Sequence, residues 1–169
     1  MRTGPTLVVG PSWVGDMVMA QSLFRLLRKS RPGCAIDVLA PPWSGPVLER
    51  MPEIDRAIPM PLEHGELGLG KRWRIGRELR ASNYRQAILL PNSMKSALVP
   101  FFAGIPLRTG WRGEMRYGLL NDLRVLDEAA LPLMVQRFVA LGLDSGEDLP
   151  DLLPQPGLRV DRGAAWRRG

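Results

Sequence analysis

Cysteine, histidine and lysine are all scarce in this 169-residue chain. The single cysteine, Cys34, excludes an internal disulfide, fits a reducing compartment, and reads as a small core residue. The single histidine, His64, has no cysteine or second histidine at ligand spacing, so no metal site is expected and a solvated loop histidine is the default. No run of eighteen apolar residues occurs, and Arg2 is followed by Gly4-Pro5 rather than an apolar leader. Neither a spanning helix nor export is therefore expected. Acidic residues are outnumbered, 17 against 23 basic, for a net charge of +6. Lysine occurs only at positions 29, 71 and 95, so the positive charge is nearly all arginine. A GC-rich genome alone would give that bias. Arginine's planar fork still suits phosphate and carboxylate, which admits nucleic acid, anionic lipid or a phosphorylated sugar as partner. No recognisable nucleic-acid-reading motif is present, so nucleic acid is not expected.

What is present suits one domain with a sizeable core, at 45% hydrophobic content. The aliphatic run Leu7-Val8-Val9 reads as a first strand, and Asp16 to Lys29 as an amphipathic helix placing Ala20, Leu23, Phe24 and Leu27 on one face, with Gln21, Arg25 and Arg28 on others. Pro32-Gly33 stops it. Ala35 to Ala40 reads as a second strand and Val47 to Met51 as a short helix. Ala57-Ile58-Pro59-Met60-Pro61 is a short strand near an edge, because two prolines cannot donate to a ladder. Glu63 to Gly70 is glycine-rich and looks mobile. From Lys71 to Arg85 six basic residues face one acid, Glu78, with Trp73, Ile75 and Leu79 toward the core. Gln86 to Leu90 is the next strand, Ala97 to Ala103 a helix, Arg108 to Trp111 a strand, and Leu131 to Leu141 an amphipathic helix. This β-α alternation predicts an open parallel sheet with right-handed crossovers and flanking helices, an α/β fold. Asp144 to Pro156, acidic and proline-rich, reads as a linker.

Two loops carry candidate chemistry. Gly10-Pro11-Ser12-Trp13-Val14-Gly15-Asp16-Met17 joins the first strand to the first helix, with Asp16 in the first helical turn, where the helix dipole favours its ionised form. The stretch is no phosphate-binding fingerprint, and a merely capping Asp16 remains an alternative. Pro91-Asn92-Ser93-Met94-Lys95-Ser96 follows a central strand. Ser93 is an N-cap candidate, and a helix N-terminus with Lys95 beside it makes a ready anion site. Trp13, Trp43 and Trp111 each follow a predicted strand, which would line one rim with a semi-apolar wall for a sugar or lipid headgroup.

Val9 to Met17, Ile58-Pro59-Met60-Pro61, Leu90 to Ala97, and Ala103 to Asn121 together resemble the lipopolysaccharide heptosyltransferase II family (glycosyltransferase family 9), over about Leu7 to Leu141. The resemblance implies a Rossmann-like fold, the N-terminal acceptor-binding domain of a GT-B glycosyltransferase, here residues 1–143. Residues 144–169 are then a linker and divergent tail. Asp161 to Gly169 is unlike the family's continuation, so the donor-binding C-terminal domain is expected to be absent and the chain truncated, frame-shifted or a fragment.

The same resemblance implies inverting heptose transfer from ADP-L-glycero-β-D-manno-heptose to the first heptose of the lipopolysaccharide inner core. Asp16 would be the catalytic base, with no metal or cofactor. Trp13, Asn92, Ser93, Lys95, Arg112 and Arg116 are the expected acceptor contacts, with Arg72 and Arg74 as weaker candidates, because the Kdo/heptose acceptor is acidic. It also implies a cytoplasmic chain in peripheral contact with the inner membrane. The alternative is an inactive module that binds acidic core oligosaccharide or a membrane surface.

Overall fold

The computed structural model describes residues 3–63 and 65–160; His64 and the segment 161–169 lie outside the described residues. Six strands form one parallel sheet in the order β3-β2-β1-β4-β5-β6: β1 (Thr6–Val9), β2 (Ile36–Ala40), β3 (Arg56–Pro59), β4 (Gln86–Leu89), β5 (Leu107–Trp111) and β6 (Asp122–Arg124). The helices are α1 (Val14–Ser30), α2 (Gly45–Leu48), α3 (Leu69–Leu79), α4 (Leu98–Phe102) and α5 (Met134–Gly142).

β1, β2 and β4 are buried along their whole length, which is why their apolar residues run continuously instead of alternating. Two cores flank the sheet. One joins Val8, Val38 and Ile88 to Leu23, Phe24 and Leu27 of α1 and to Phe138 and Leu141 of α5; the other joins Leu7, Leu39 and Leu89 to Leu79 of α3 and Val99 of α4. Each such side chain contributes about 1.5–3 kcal/mol by leaving water. β3 is an edge strand, as expected from Pro59 at its end and Pro61 just beyond it.

The structure departs from the sequence-based expectation at several places. β6 was not foreseen, since three residues with charges at both ends give no strand pattern. Gln21, expected on a solvated face of α1, is fully buried. It is covered by the stretch at 155–158, which lies against α1, with Leu158 packed on the core. Trp73, expected toward the core, is half exposed beneath the Arg77 guanidinium, 4.9 Å from its ring centre. Gly76 takes the buried place instead: a Cβ there would lie 2.6 Å from Phe102 Cβ, so α3 and α4 meet backbone to backbone.

Candidate functional site

From β1 the chain crosses to β2 on one side, and from β4 it crosses to β5 on the other, so the loops after β1 and β4 diverge. Ligands of open α/β sheets bind in the crevice this leaves outside the strand carboxyl ends. Here a cleft of about 260 Å³ lies at that edge, walled by Gly10 and Ser12 after β1, Trp43 after β2, Arg72 of α3, and Ser93 and Lys95 after β4. Gly10 holds the loop tight against the sheet: a Cβ there would meet Met17 Cε at 2.6 Å and Val38 Cγ1 at 3.3 Å.

Asp16 sits in the first turn of α1, half exposed and outside the lining of this cleft. Among the described residues no group hydrogen-bonds to its carboxylate, and Trp13, not Asp16, holds the N-cap position, with no side-chain capping bond to the helix. This carboxylate is not engaged by the protein and is open to a ligand hydroxyl.

Beside the cleft, Ser12, Trp13, Val14 and Trp43 line a second, apolar slot of about 270 Å³. Trp13 is 71% exposed and Trp43 51%, and Trp43 Nε1 donates to Ser12 O at 3.1 Å. Trp111 does not join them. It is 7% exposed and packs in the α1 and α5 core, so the expected three-tryptophan wall is a pair.

The β4 loop is built differently from the expected helix terminus. Ser93 caps nothing: a single 3-10 turn, Lys95–Ala97, precedes α4, and the Ser93 carbonyl accepts from Ser96 Oγ at 2.6 Å. With α4 only five residues long, positive charge in the cleft comes from side chains. Lys95 is one. Arg72 is the other: it is 7% exposed and donates to Leu67 O at 2.6 Å, Lys95 O at 3.0 Å and Glu66 O at 3.4 Å. Burial pushes its pKa down, with Glu66 opposing, yet a guanidinium stays charged.

Asn92 is exposed and outside the cleft lining; its carbonyl accepts the Glu114 N–H at 3.2 Å. Arg112 and Arg74 are exposed. Arg116, expected on the rim for acceptor contact, is instead 1% exposed and bonded to protein carbonyls, because the β5 loop folds under the β4 loop. No signal in the sequence separates it from Arg112. Among the described residues no group of three or more His, Cys, Asp or Glu is placed to hold a metal ion.

The strand order and the position of the cleft define a Rossmann-like α/β domain with its site at the carboxyl edge of the sheet. The chain belongs to glycosyltransferase family 9 (heptosyltransferase), whose model matches residues 72–167. That match runs beyond Leu141, where the resemblance read from the sequence stops, and into the ending set apart there as divergent. Lipopolysaccharide heptosyltransferase 2 of Escherichia coli K12 is 60% identical over 162 residues, covering 93% of this chain and 47% of the relative. Lipooligosaccharide heptosyltransferase 2 of Haemophilus influenzae is 53% identical over 153 residues, covering 88% and 44%. The solved structure of E. coli ADP-heptose LPS heptosyltransferase II superposes with a TM-score of 0.86 at 56% identity, covering 94% of this chain and 47% of that one. The chain thus spans about half the length of the relatives it matches.

Proposed function

We propose that this chain is the acceptor-side half of an inverting heptosyltransferase that moves heptose from ADP-L-glycero-β-D-manno-heptose to the first heptose of the lipopolysaccharide inner core. The observation that carries the reading is the unengaged Asp16 carboxylate beside a cleft lined by Lys95 and Arg72, in a chain 60% identical to a lipopolysaccharide heptosyltransferase 2.

Asp16 takes the proton from the acceptor hydroxyl as that oxygen attacks the anomeric carbon of the donor. ADP leaves with the bonding electron pair in a single displacement. Lys95 and Arg72 meet the acidic groups of the Kdo/heptose acceptor, while Trp13 and Trp43 offer apolar faces to a sugar ring. Ser93 offers a hydroxyl to the cleft, and Asn92 and Arg112 are outer contacts. The donor and its leaving diphosphate fall to a second domain of the kind the longer relatives have room for.

Among the described residues no helix is long and apolar enough to cross a membrane. We place the chain in the cytoplasm, in peripheral contact with the inner membrane. Leu67, Leu69 and Trp73 are exposed in and just before α3, interleaved with exposed Lys71, Arg74 and Arg77, an apolar and cationic surface suited to anionic headgroups.

The test is acceptor binding followed by transfer. The purified chain should bind mono-heptosylated core oligosaccharide, and Asp16→Asn should bind it equally well while failing to turn over once a donor domain is supplied. Binding with wild-type turnover in Asp16→Asn would remove Asp16 from the mechanism; binding without turnover by either form would leave the alternative, an inactive acceptor-binding module.

A further inference from the structure

The loops after β4 and β5 are joined by a clasp. Arg116 Nη1 donates to Pro91 O at 2.9 Å, Ser96 Oγ at 3.2 Å and Ser93 O at 3.3 Å, and its Nη2 donates to Trp111 O at 2.6 Å. From the solvent side the Glu114 carboxylate accepts the Met94 N–H at 2.9 Å, while the Glu114 N–H donates to Asn92 O at 3.2 Å. Gly113 permits this approach, since a Cβ there would stand 2.5 Å from Asn92 O. Residues 91, 92, 93, 94 and 96 are therefore each tied to the segment 113–116. Lys95 is the exception. It is held through its carbonyl by Arg72, and among the described residues nothing binds its amine, which is left to the cleft it lines.

Burying a guanidinium is costly unless its donors are met; here four acceptors meet Nη1 and Nη2, while the buried Nε–H has none among the described residues. At 1% exposure this group has no face left for a substrate. We infer that Arg116 and Glu114 are positioning residues: they hold the 91–96 loop in the one arrangement that presents Ser93 and Lys95 to an acidic sugar ligand in the cleft. The ligand part rests on the function proposed above; the clasp does not.

The test measures two things on the full chain: amide hydrogen exchange at Met94 and Lys95, and affinity for phosphorylated heptose–Kdo core oligosaccharide by calorimetry. Glu114 is exposed, so Glu114→Ala leaves the fold intact, whereas Arg116→Met risks unfolding. Losing a charge-assisted hydrogen bond should speed Met94 exchange in Glu114→Ala roughly tenfold or more and weaken the oligosaccharide by a similar factor. Glu114→Gln, which keeps an acceptor oxygen, should restore both. In a Lys95→Met background Glu114→Ala should cost little further affinity, because it acts through the loop that carries Lys95. Unchanged Met94 exchange in Glu114→Ala overturns the proposal, and so does a loss of affinity fully additive with Lys95→Met. If the wild-type chain ignores the oligosaccharide, the proposed acceptor is wrong, and exchange alone decides the clasp.

Discussion

Gln21 and Gly157, 136 residues apart, pair like neighbouring strands: Gln21 Oε1 accepts the Gly157 N–H at 2.8 Å, and its Nε2 donates to Gly157 O at 3.1 Å. Around them Arg25 donates to Gln155 O at 2.6 Å, and the Arg159 N–H donates to Arg50 O at 2.8 Å. Residues 155–159 are a strap fastened across α1 and the end of α2. The stretch after residue 144 therefore begins as a loop and ends tied back to the domain.

Gln21→Leu removes both halves of that pairing, together with the bond to Glu53 Oε2, and leaves the Gly157 N–H without a partner, while Gly157 O keeps the Arg25 guanidinium at 3.1 Å. A loss of about 1–3 kcal/mol in urea unfolding is expected. Proteolysis should also begin at 150–160 in the variant before the core opens.

Two glycines of α3 should respond in opposite ways. Gly76→Ala places a methyl 2.6 Å from Phe102 Cβ and 3.1 Å from the Ala103 nitrogen, forcing α3 off α4 at about 1–3 kcal/mol. At Gly70 a Cβ meets nothing within 4 Å, so Gly70→Ala is neutral or stabilising by up to about 1 kcal/mol. Thermal melts of the pair read the contrast directly.

Acid stability should depend in part on Asp55. Burial by itself raises this carboxyl, but the Ile36 N–H at 2.7 Å and the Arg28 guanidinium at 2.6 Å favour its charged form and hold it below the ordinary 3.8. A depressed folded-state value contributes stability that is present above about pH 4 and lost as pH falls through the lowered value. Asp55→Asn should flatten that part of the unfolding free energy measured between about pH 5 and 3, and leave the profile above it parallel to wild type.

Membrane contact should be electrostatic and local to α3. Replacing Lys71, Arg74 and Arg77 with glutamine should weaken sedimentation with vesicles rich in anionic lipid by about 1 kcal/mol per charge, and high salt should weaken the wild type similarly. Equal binding to neutral vesicles would show that the charge of this surface does not drive the contact.

The parallel sheet was legible because buried strands such as Leu7-Val8-Val9 and Ile88-Leu89 announce themselves as apolar runs between turn residues. The strand order, and with it the switch-point cleft, came from the structure, but Ser93 and Lys95 do line that cleft at the carboxyl edge where the sequence places them. What stayed hidden were long-range choices. Arg112 and Arg116 look alike in sequence, yet one is exposed and the other is buried against Pro91 O, Ser93 O and Ser96 Oγ of a loop 20 to 25 residues earlier. Trp111 resembles Trp13 and Trp43 in following a strand, but the last residue of β5 faces inward, onto α1 and α5. Gln21 looks solvated until the strap, 136 residues on, is placed over it.

On the function proposed, Asp16 and the cleft beside it form a working acceptor site that needs only a donor domain. The most direct measurement is heptose transfer from ADP-heptose to mono-heptosylated core acceptor by this chain mixed with a separately made donor-binding half. Turnover is expected in the mixture and none with either part alone. Asp16→Asn should lower that turnover about 10²–10⁴-fold at unchanged acceptor affinity. Turnover in the mixture that survives Asp16→Asn at the wild-type rate would contradict the role given to Asp16.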